Sequence, residues 1–307
     1  MSKVTVVGSY VVDLMCKTPK MPKIGETVLG GPFKMGPGGK GGNQGVAVAR
    51  LGGEVTMVTK VGKDEFGALA RENFNNEKIN TNYIFEDEEE STGAALIAVD
   101  SSSENMIIVA LGACGNLSRE DVEQAEKEIA ESKVVLVQLE TNIEAVEAAI
   151  EIANKYCVPV ILNPAPYQQF PQKFLQKIQY ITPNETEGSL LTGIEIVDEE
   201  SALQAALKLN KWGVPNVIIT LGKKGCYLYT KESGGELISG FSVNALDTTG
   251  AGDAFNGGLA FSLANGYPLR KALSYANATA ALSVTKLGTA PAMPYKEEVD
   301  IFLRNMA

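Results

Sequence analysis

Asp253 closes the heptapeptide DTTGAGD (residues 247–253), and the small, apolar run AFNGGLAFSLA follows without a break. A glycine-rich turn that opens straight into a helix leaves backbone N–H groups unpaired at the positive end of the helix dipole, which makes an anion seat. Here the seat carries a carboxylate in its first turn. A carboxylate beside an anion hole can accept a proton from a hydroxyl while the N–H groups neutralise a phosphoryl group in transfer. The plainer reading of the same residues is a tight turn and a helix-terminal acid.

Composition narrows the chemistry. The 307 residues include no histidine, which excludes a Ser–His–Asp or Cys–His apparatus, a phosphohistidine intermediate and a His-ligated zinc. A general base at neutral pH must then be a carboxylate, Lys, Tyr or Cys. Net charge is −10, which disfavours nucleic acid and anionic membranes as partners. No apolar run reaches the roughly 18–20 residues needed to span a bilayer, and MSKVTVVGSYVVDLM reads as a strand and turn rather than a signal peptide. A cytoplasmic location follows. Cys16, Cys114, Cys157 and Cys226 form no C-x-x-C pair and are expected as free thiols.

Short apolar runs alternate with helical patterns, the signature of parallel βαβ units and an α/β fold. Buried strands are expected at Val4–Val7, Val55–Thr59, Val134–Gln138, Val158–Leu162 and Val217–Thr220. Helices are expected over about 43–52, 65–76, 118–131, 142–156 and 199–212, with a final pair over 251–265 and 268–286. Ser118 with Asp121, and Asn142, serve as expected N-terminal caps, and Gly213-Val214-Pro215 as a stop. Thr27–Met35, Thr92–Val99 and Met106–Ala110 read as strands without intervening helices. They would pair into a small separate sheet, a lid over the ligand-binding ends of the main strands; a sheet edge or dimer surface is the other reading. The acidic run Glu86–Glu90 reads as a solvated loop. No composition shift marks a second domain, so residues 1–307 are expected to form one domain, with the lid inserted at about 10–36 and 91–112.

A second glycine-rich stretch, GPGGKGGNQGVAVARLGG (36–53), suits close approach of backbone to a polyol, with Lys40 and Asn43 offering hydrogen bonds; a flexible loop is the alternative. Asp13 follows a buried strand and the Gly8-Ser9 turn, a strand-end position that favours ligand contact.

Nine motifs then appear in one order: GSYVVD (8–13), GETVLG (25–30), GGKGGNQ (38–44), STGAALIAV (91–99), QLE (138–140), NPAP (163–166), ITPNETE (181–187), TLGKKG (220–225) and DTTGAGD (247–253). In these residues and their order the chain resembles the ribokinase family of sugar and nucleoside kinases over nearly its whole length. The resemblance implies a central, mostly parallel sheet flanked by helices with a small β lid, and ATP-dependent phosphorylation of a sugar's primary hydroxyl, ribose first. It implies Asp253 as general base, with the backbone N–H groups of Gly250, Ala251 and Gly252 as the anion hole. It assigns Asp13, Gly39, Lys40, Asn43 and Glu140 to the sugar. Asn184 and Glu187 are assigned to Mg²⁺ and phosphate placement, Thr220, Gly222 and Gly225 to the nucleotide loop, and Asn277 to the adenine. Asp247 and Thr249, with backbone at Ser283, Lys286 and Gly288, are implied as the site of an activating monovalent cation, K⁺. A homodimer through the lid is expected as well.

Three residues depart from the family pattern. Val11 stands where the family has Asn, Cys114 ends what is usually G-A-N, and Ala292 replaces a Ser at the edge of the cation site. The first two bear on which sugar is used. A kinase of a nucleoside or another polyol, which needs an apolar slot for a base, is the alternative; a non-catalytic sugar-binding protein would lack Asp253. The chain contains no Walker G-x-x-x-x-G-K-[ST], and the N-terminal strand-turn GSYVVD lacks the G-x-G-x-x-G of a dinucleotide-binding turn, but a helix N-terminus can cradle phosphate without a Walker motif.

Overall fold

A computed structural model describes residues 2–102 and 104–306. The strands, in chain order, are β1 (Lys3–Val7), β2 (Val11–Lys17), β3 (Phe33–Gly38), β4 (Glu54–Gly62), β5 (Asn80–Asp87), β6 (Thr92–Val99), β7 (Asn105–Gly112), β8 (Val134–Gln138), β9 (Val160–Asn163), β10 (Tyr180–Ile181), β11 (Asn216–Thr220), β12 (Gly225–Thr230) and β13 (Gly234–Ser239). Nine of them form one sheet in the order β13-β12-β11-β10-β9-β8-β1-β4-β5. From β5 to β11 its neighbours pair in parallel, and β12 and β13 extend it antiparallel. The other four form a separate sheet, β3-β2-β6-β7.

Parallel strands must be covered on both faces, and two apolar cores do this. The helices are α1 (Lys40–Arg50), α2 (Glu65–Asn76), α3 (Arg119–Gln124), α4 (Glu126–Glu131), α5 (Ile143–Lys155), α6 (Glu185–Thr192), α7 (Glu199–Lys211), α8 (Ala251–Ala264), α9 (Leu269–Ser283) and α10 (Lys296–Met306). Val4, Val6, Leu136 and Ile161 face the core of α1, α8 and α9, whereas Val7, Val135, Val137 and Leu162 face that of α5 and α7, the alternation that a pleated strand imposes. Helix α8 lies close to its neighbours because its residues are small: a Cβ at Gly258 would stand 2.8 Å from Thr279 Oγ1 and one at Gly257 3.0 Å from the Gln44 carbonyl.

All five expected buried strands form, and the helices begin and end within a few residues of expectation. Ser118 and Asp121 make a capping box and Asn142 caps α5. Four points differ. The helix expected over 118–131 is two, parted at Ala125, and nothing in that side chain explains the break. Thr27–Met35 is not a strand: Gly30, Gly31 (φ 145°) and Pro32 interrupt it, and β3 begins only at Phe33, since proline has no N–H to give to a ladder. Strand β2 pairs with both β3 and β6, so Asp13 lies within a strand of the small sheet rather than at the end of a main one. Finally, Glu86 and Asp87 close β5, and only residues 88–90 are loop.

Candidate active site

Two turns bring the site together. Helix α1 starts at Lys40, earlier than expected, and its first N–H donates to Glu140 Oε2 at 2.7 Å. The same oxygen accepts from Ser9 Oγ at 2.6 Å. Glu140, just past β8, is thus an anionic cap on α1. The glycines around Lys40 make room for the chain itself. A Cβ at Gly39 (φ 84°) would lie 2.8 Å from Val11 N, one at Gly41 2.7 Å from Ser9 N, and one at Gly38 would fall on the Asp13 carboxylate. Gly39 therefore packs on the Ser9–Val11 backbone and lines neither cavity described below.

At the other turn Gly250 (φ 78°) precedes α8, a left-handed conformation that favours glycine. Among the described residues the N–H groups of Gly250 and Gly252 have no hydrogen-bond partner, whereas Ala251 N–H turns to the Thr248 carbonyl at 3.3 Å. Two of the three expected donors are free. Asp253 is 6% exposed and takes one amide on each oxygen: Asn43 Nδ2 on Oδ2 at 2.9 Å and Gln44 Nε2 on Oδ1 at 3.0 Å. Burial raises its pKa and Glu140 adds to the rise, against Lys40 and the two amides. Lys40 is its counterpart. Burial pulls the ammonium down, but Asp253, Glu140, Glu187 and Asp13 outweigh that and leave it above its ordinary value.

A cavity of about 170 Å³ opens on Lys40, Asn184, Glu187, Thr220, Thr248, Gly250–Gly252 and Asp253. Lys40 and the free N–H groups give it positive donors, and Asp253 stands on its wall. Asn184 and Glu187 cap α6 reciprocally, Glu187 Oε2 accepting from Asn184 N–H at 2.9 Å; burial raises the Glu187 carboxyl. A larger cavity of about 480 Å³, meeting the first at Thr248, lies between the small sheet and the 245–249 and 287–291 loops. Asp13, Met15, Lys17, Ile97 and Val99 form its sheet wall, and Asp247, Thr249, Gly288 and Thr289 its other side. Asp247 accepts from Thr249 N–H and Gly288 N–H, both at 3.0 Å.

An anion-binding turn with a carboxylate on its wall, beneath a small sheet, is the geometry of phosphoryl transfer to a hydroxyl. The comparisons with known proteins agree. The model of the pfkB family of carbohydrate kinases matches residues 1–296. The chain belongs to the pfkB family of carbohydrate kinases. Over 98% of both chains it is 43% identical to a ribokinase of Haemophilus influenzae, and over 98% of both it is 38% identical to a deoxyribokinase of Salmonella typhimurium. A solved ribokinase of Arabidopsis thaliana, complexed with ribose and ATP, superposes with a TM-score of 0.91 at 31% identity, covering 99% of each chain. The fold is the ribokinase fold, with its mostly parallel main sheet and small separate sheet.

Of the residues expected at the sugar, Lys40 lines the smaller cavity with Asp253 and Asp13 lines the larger, whereas Asn43 and Glu140 line neither and act on the site through hydrogen bonds, Asn43 to Asp253 Oδ2 and Glu140 from the Lys40 N–H. Gly222, Gly225, Asn277, Ser283, Lys286 and Ala292 line neither cavity. Gly225 instead packs on the β13 backbone, a Cβ there lying 2.7 Å from Ser239 C. Asn277 spends its amide on the Ile238 and Ser239 carbonyls at 3.1 and 3.2 Å. Ser283 Oγ is bonded to the Ala280 carbonyl and Lys286 Nζ to Glu298. Cys114 lines neither cavity. It is fully buried, it accepts from Tyr10 N–H at 3.2 Å, and its thiol reaches the Tyr10 carbonyl at 2.9 Å, with burial pushing it up to about 11. Ser9, Gln44, Gln138, Asn163 and Thr289 escaped the sequence reading. An amide closing each of the apolar runs VVLVQ and VILN is the signal that could have found two of them.

Proposed function

We propose that this carbohydrate kinase transfers the γ-phosphoryl group of ATP to the primary hydroxyl of a pentose, ribose first, and that residues 1–307 act as one domain with the small sheet as lid. The observation that carries the reading is Asp253 on the wall of an anion-binding turn, with Lys40 beside it. Asp253 takes the hydroxyl proton, the free N–H groups of Gly250 and Gly252 and the Lys40 ammonium offset charge on the transferring group, and Asp13 and Asn43 hold the sugar. The Haemophilus relative and the ribose- and ATP-bound Arabidopsis structure support both substrates. A coupled assay over pentoses, hexoses and nucleosides tests the reading, and ribose is expected to give the highest kcat/KM among natural pentoses with an unreduced 2-hydroxyl. With the lid closed water is excluded, so ATP hydrolysis without sugar should be slow.

A second reading, 2-deoxyribose, is favoured by Val11. It is 2% exposed and two residues before Asp13, on the same face of β2, so it offers no hydrogen bond where the family has an amide. The deoxyribokinase relative supports it.

Two ions complete the proposal. No three His, Cys, Asp or Glu gather as a metal cage among the described residues, and Glu187 with Asn184 would help to hold Mg²⁺ that arrives with nucleotide phosphates and would neutralise their charge. Asp247, a carboxylate held by the N–H groups of Thr249 and Gly288, is a hard, singly charged oxygen donor that would suit K⁺, and K⁺ there would add positive charge near the anion seat.

We also propose a homodimer through the lid. Met106, Ile107, Ile108 and Val109 are 57%, 46%, 64% and 41% exposed along the edge strand β7, an edge that invites pairing; sedimentation checks it. A cytoplasmic location suits four unpaired cysteines. Among the described residues no helix is long and apolar enough to cross a membrane.

A further inference from the structure

Three amides of the recurring motifs, to which the proposed reaction gives no part, meet behind Asp253. Gln44 Nε2 donates to Asp253 Oδ1 and to Asn163 Oδ1, each at 3.0 Å. Gln44 Oε1 accepts from Gln138 Nε2 at 2.7 Å, and Asn163 Nδ2 is held on the Thr182 carbonyl at 3.2 Å. Gln44 and Gln138 are fully buried and Asn163 is 6% exposed.

Two acceptors fix the orientation of this chain, the Asp253 carboxylate and the Thr182 carbonyl, which draws the Asn163 NH₂ and turns Asn163 Oδ1 towards Gln44. A carboxylate only accepts, so Asp253 draws the NH₂ of Gln44. The Gln44 oxygen must then face Gln138, which presents its own NH₂. Gln138 Oε1 is left buried without a partner, in space kept open by the missing side chain of Gly8. Turning Gln44 over would set its oxygen against two others and its NH₂ against that of Gln138. A buried orphan oxygen costs stability, and the orientation that leaves it serves Asp253 Oδ1 and Asn163 Oδ1.

We propose that Gln44, fixed by Gln138 and Asn163, is a positioning residue that holds the Asp253 carboxylate in one orientation and unprotonated in a site closed to water. This rests on the reading of Asp253 as proton acceptor. The charges facing Asp253 are Lys40, which favours the anion, and Glu140, Asp13 and Glu187, which oppose it. Burial joins the opposing side and leaves the carboxyl above its ordinary value, and the neutral donors Gln44 and Asn43 limit that rise.

The test is the pH profile of kcat/KM with the best sugar. In Gln44→Leu, of similar volume, the acid limb should move up by about one pH unit and kcat at pH 7.5 fall about tenfold, with the sugar KM within about twofold. Gln44→Glu sets a second carboxylate on Asp253 and should move the limb further. Gln138→Leu touches neither Asp253 nor either cavity and removes the orphan oxygen; it should fold normally, bind ATP as the parent does, and move the limb the same way by less. A limb that stays in place in Gln44→Leu and Gln138→Leu, while Asp253→Asn is inactive, would reduce Gln44 to packing and overturn the proposal. An active Asp253→Asn would instead remove the base reading beneath it.

Discussion

The hydroxyl of Thr289 donates to Asp13 Oδ2 across 2.9 Å, a bond between residues 276 positions apart. It ties the small sheet to the loop whose Gly288 N–H holds Asp247. A sugar beneath the sheet and a cation beside the anion seat would therefore share one mechanical link. Thr289→Val keeps the shape and removes the donor. The sugar KM should rise about five- to tenfold, with a smaller change in kcat; an unchanged KM would show that the bond does not organise the sugar side.

Asp13 also sets a pH limit. Burial raises its carboxyl to about 6, against the Thr289 hydrogen bond, with Glu140 and Asp253 adding to the rise and Lys40 opposing it. In its proposed role at the sugar the Asp13 anion would accept hydroxyls and the acid would do so poorly, so the sugar KM should climb as pH falls through about 6. Stability runs the other way. A folded pKa above the unfolded one contributes stability below about 4 that is lost as pH rises through about 6. Asp13→Asn should accordingly melt higher than the parent at pH 8, by about 2 °C or more, and no higher at pH 4. Paired melting curves at the two pH values check the sign.

Asp253→Asn keeps the shape and removes the proton acceptor. Its kcat should fall by about 10²–10⁴ while ATP still binds. A variant that keeps more than a tenth of the parent kcat on its proper sugar would sink the assignment.

Cation activation is the outcome expected of the proposed K⁺ site at Asp247, whose carboxylate is held by the N–H groups of Thr249 and Gly288. Turnover in a buffer containing only a bulky organic cation should be low and should rise several-fold on adding K⁺. Asp247→Asn should abolish the rise. Equal rates in both buffers would remove the K⁺ site from the proposal.

Local order was legible where one pattern decides it. Alternating strands and helices follow from apolar period, and caps such as Ser118–Asp121 from residue type. The order of nine motifs carried the family. Long-range reasons were not legible. The glycines at 38, 39 and 41 read as room for a ligand, but they make room for Asp13 and the Ser9–Val11 backbone, a contact no local pattern encodes. Cys114 read as a change beside the sugar because its motif neighbours lie there, yet it is spent on the Tyr10 backbone. Gln44 and Gln138 are 94 positions apart, and their joint service to Asp253 appears only once α1 and β8 are packed.

The choice between the two proposed sugars is expected to turn on Val11. It pairs with Gly93 in β6, where a Cβ would lie 2.8 Å from Val11 Cγ1, so the side chain is held over the sheet face that Asp13 shares. A site that hydrogen-bonds a hydroxyl strongly rejects a sugar lacking it, whereas an apolar residue there tolerates or favours the lack. Val11→Asn adds an amide. For ribose the new bond should lower KM by about two- to tenfold, equivalent to roughly 0.5–1.5 kcal/mol. For 2-deoxyribose the same amide is left buried and unpaired, and kcat/KM should fall. The parent should accordingly use the two sugars more evenly than the variant does, or prefer the deoxy sugar. Measuring kcat/KM for both sugars in both proteins reads the preference directly: a ribose-to-deoxyribose ratio unchanged by Val11→Asn would show that this face of β2 does not meet the sugar, and phosphorylation of neither sugar by either protein would move the substrate to another class within the same kinase family.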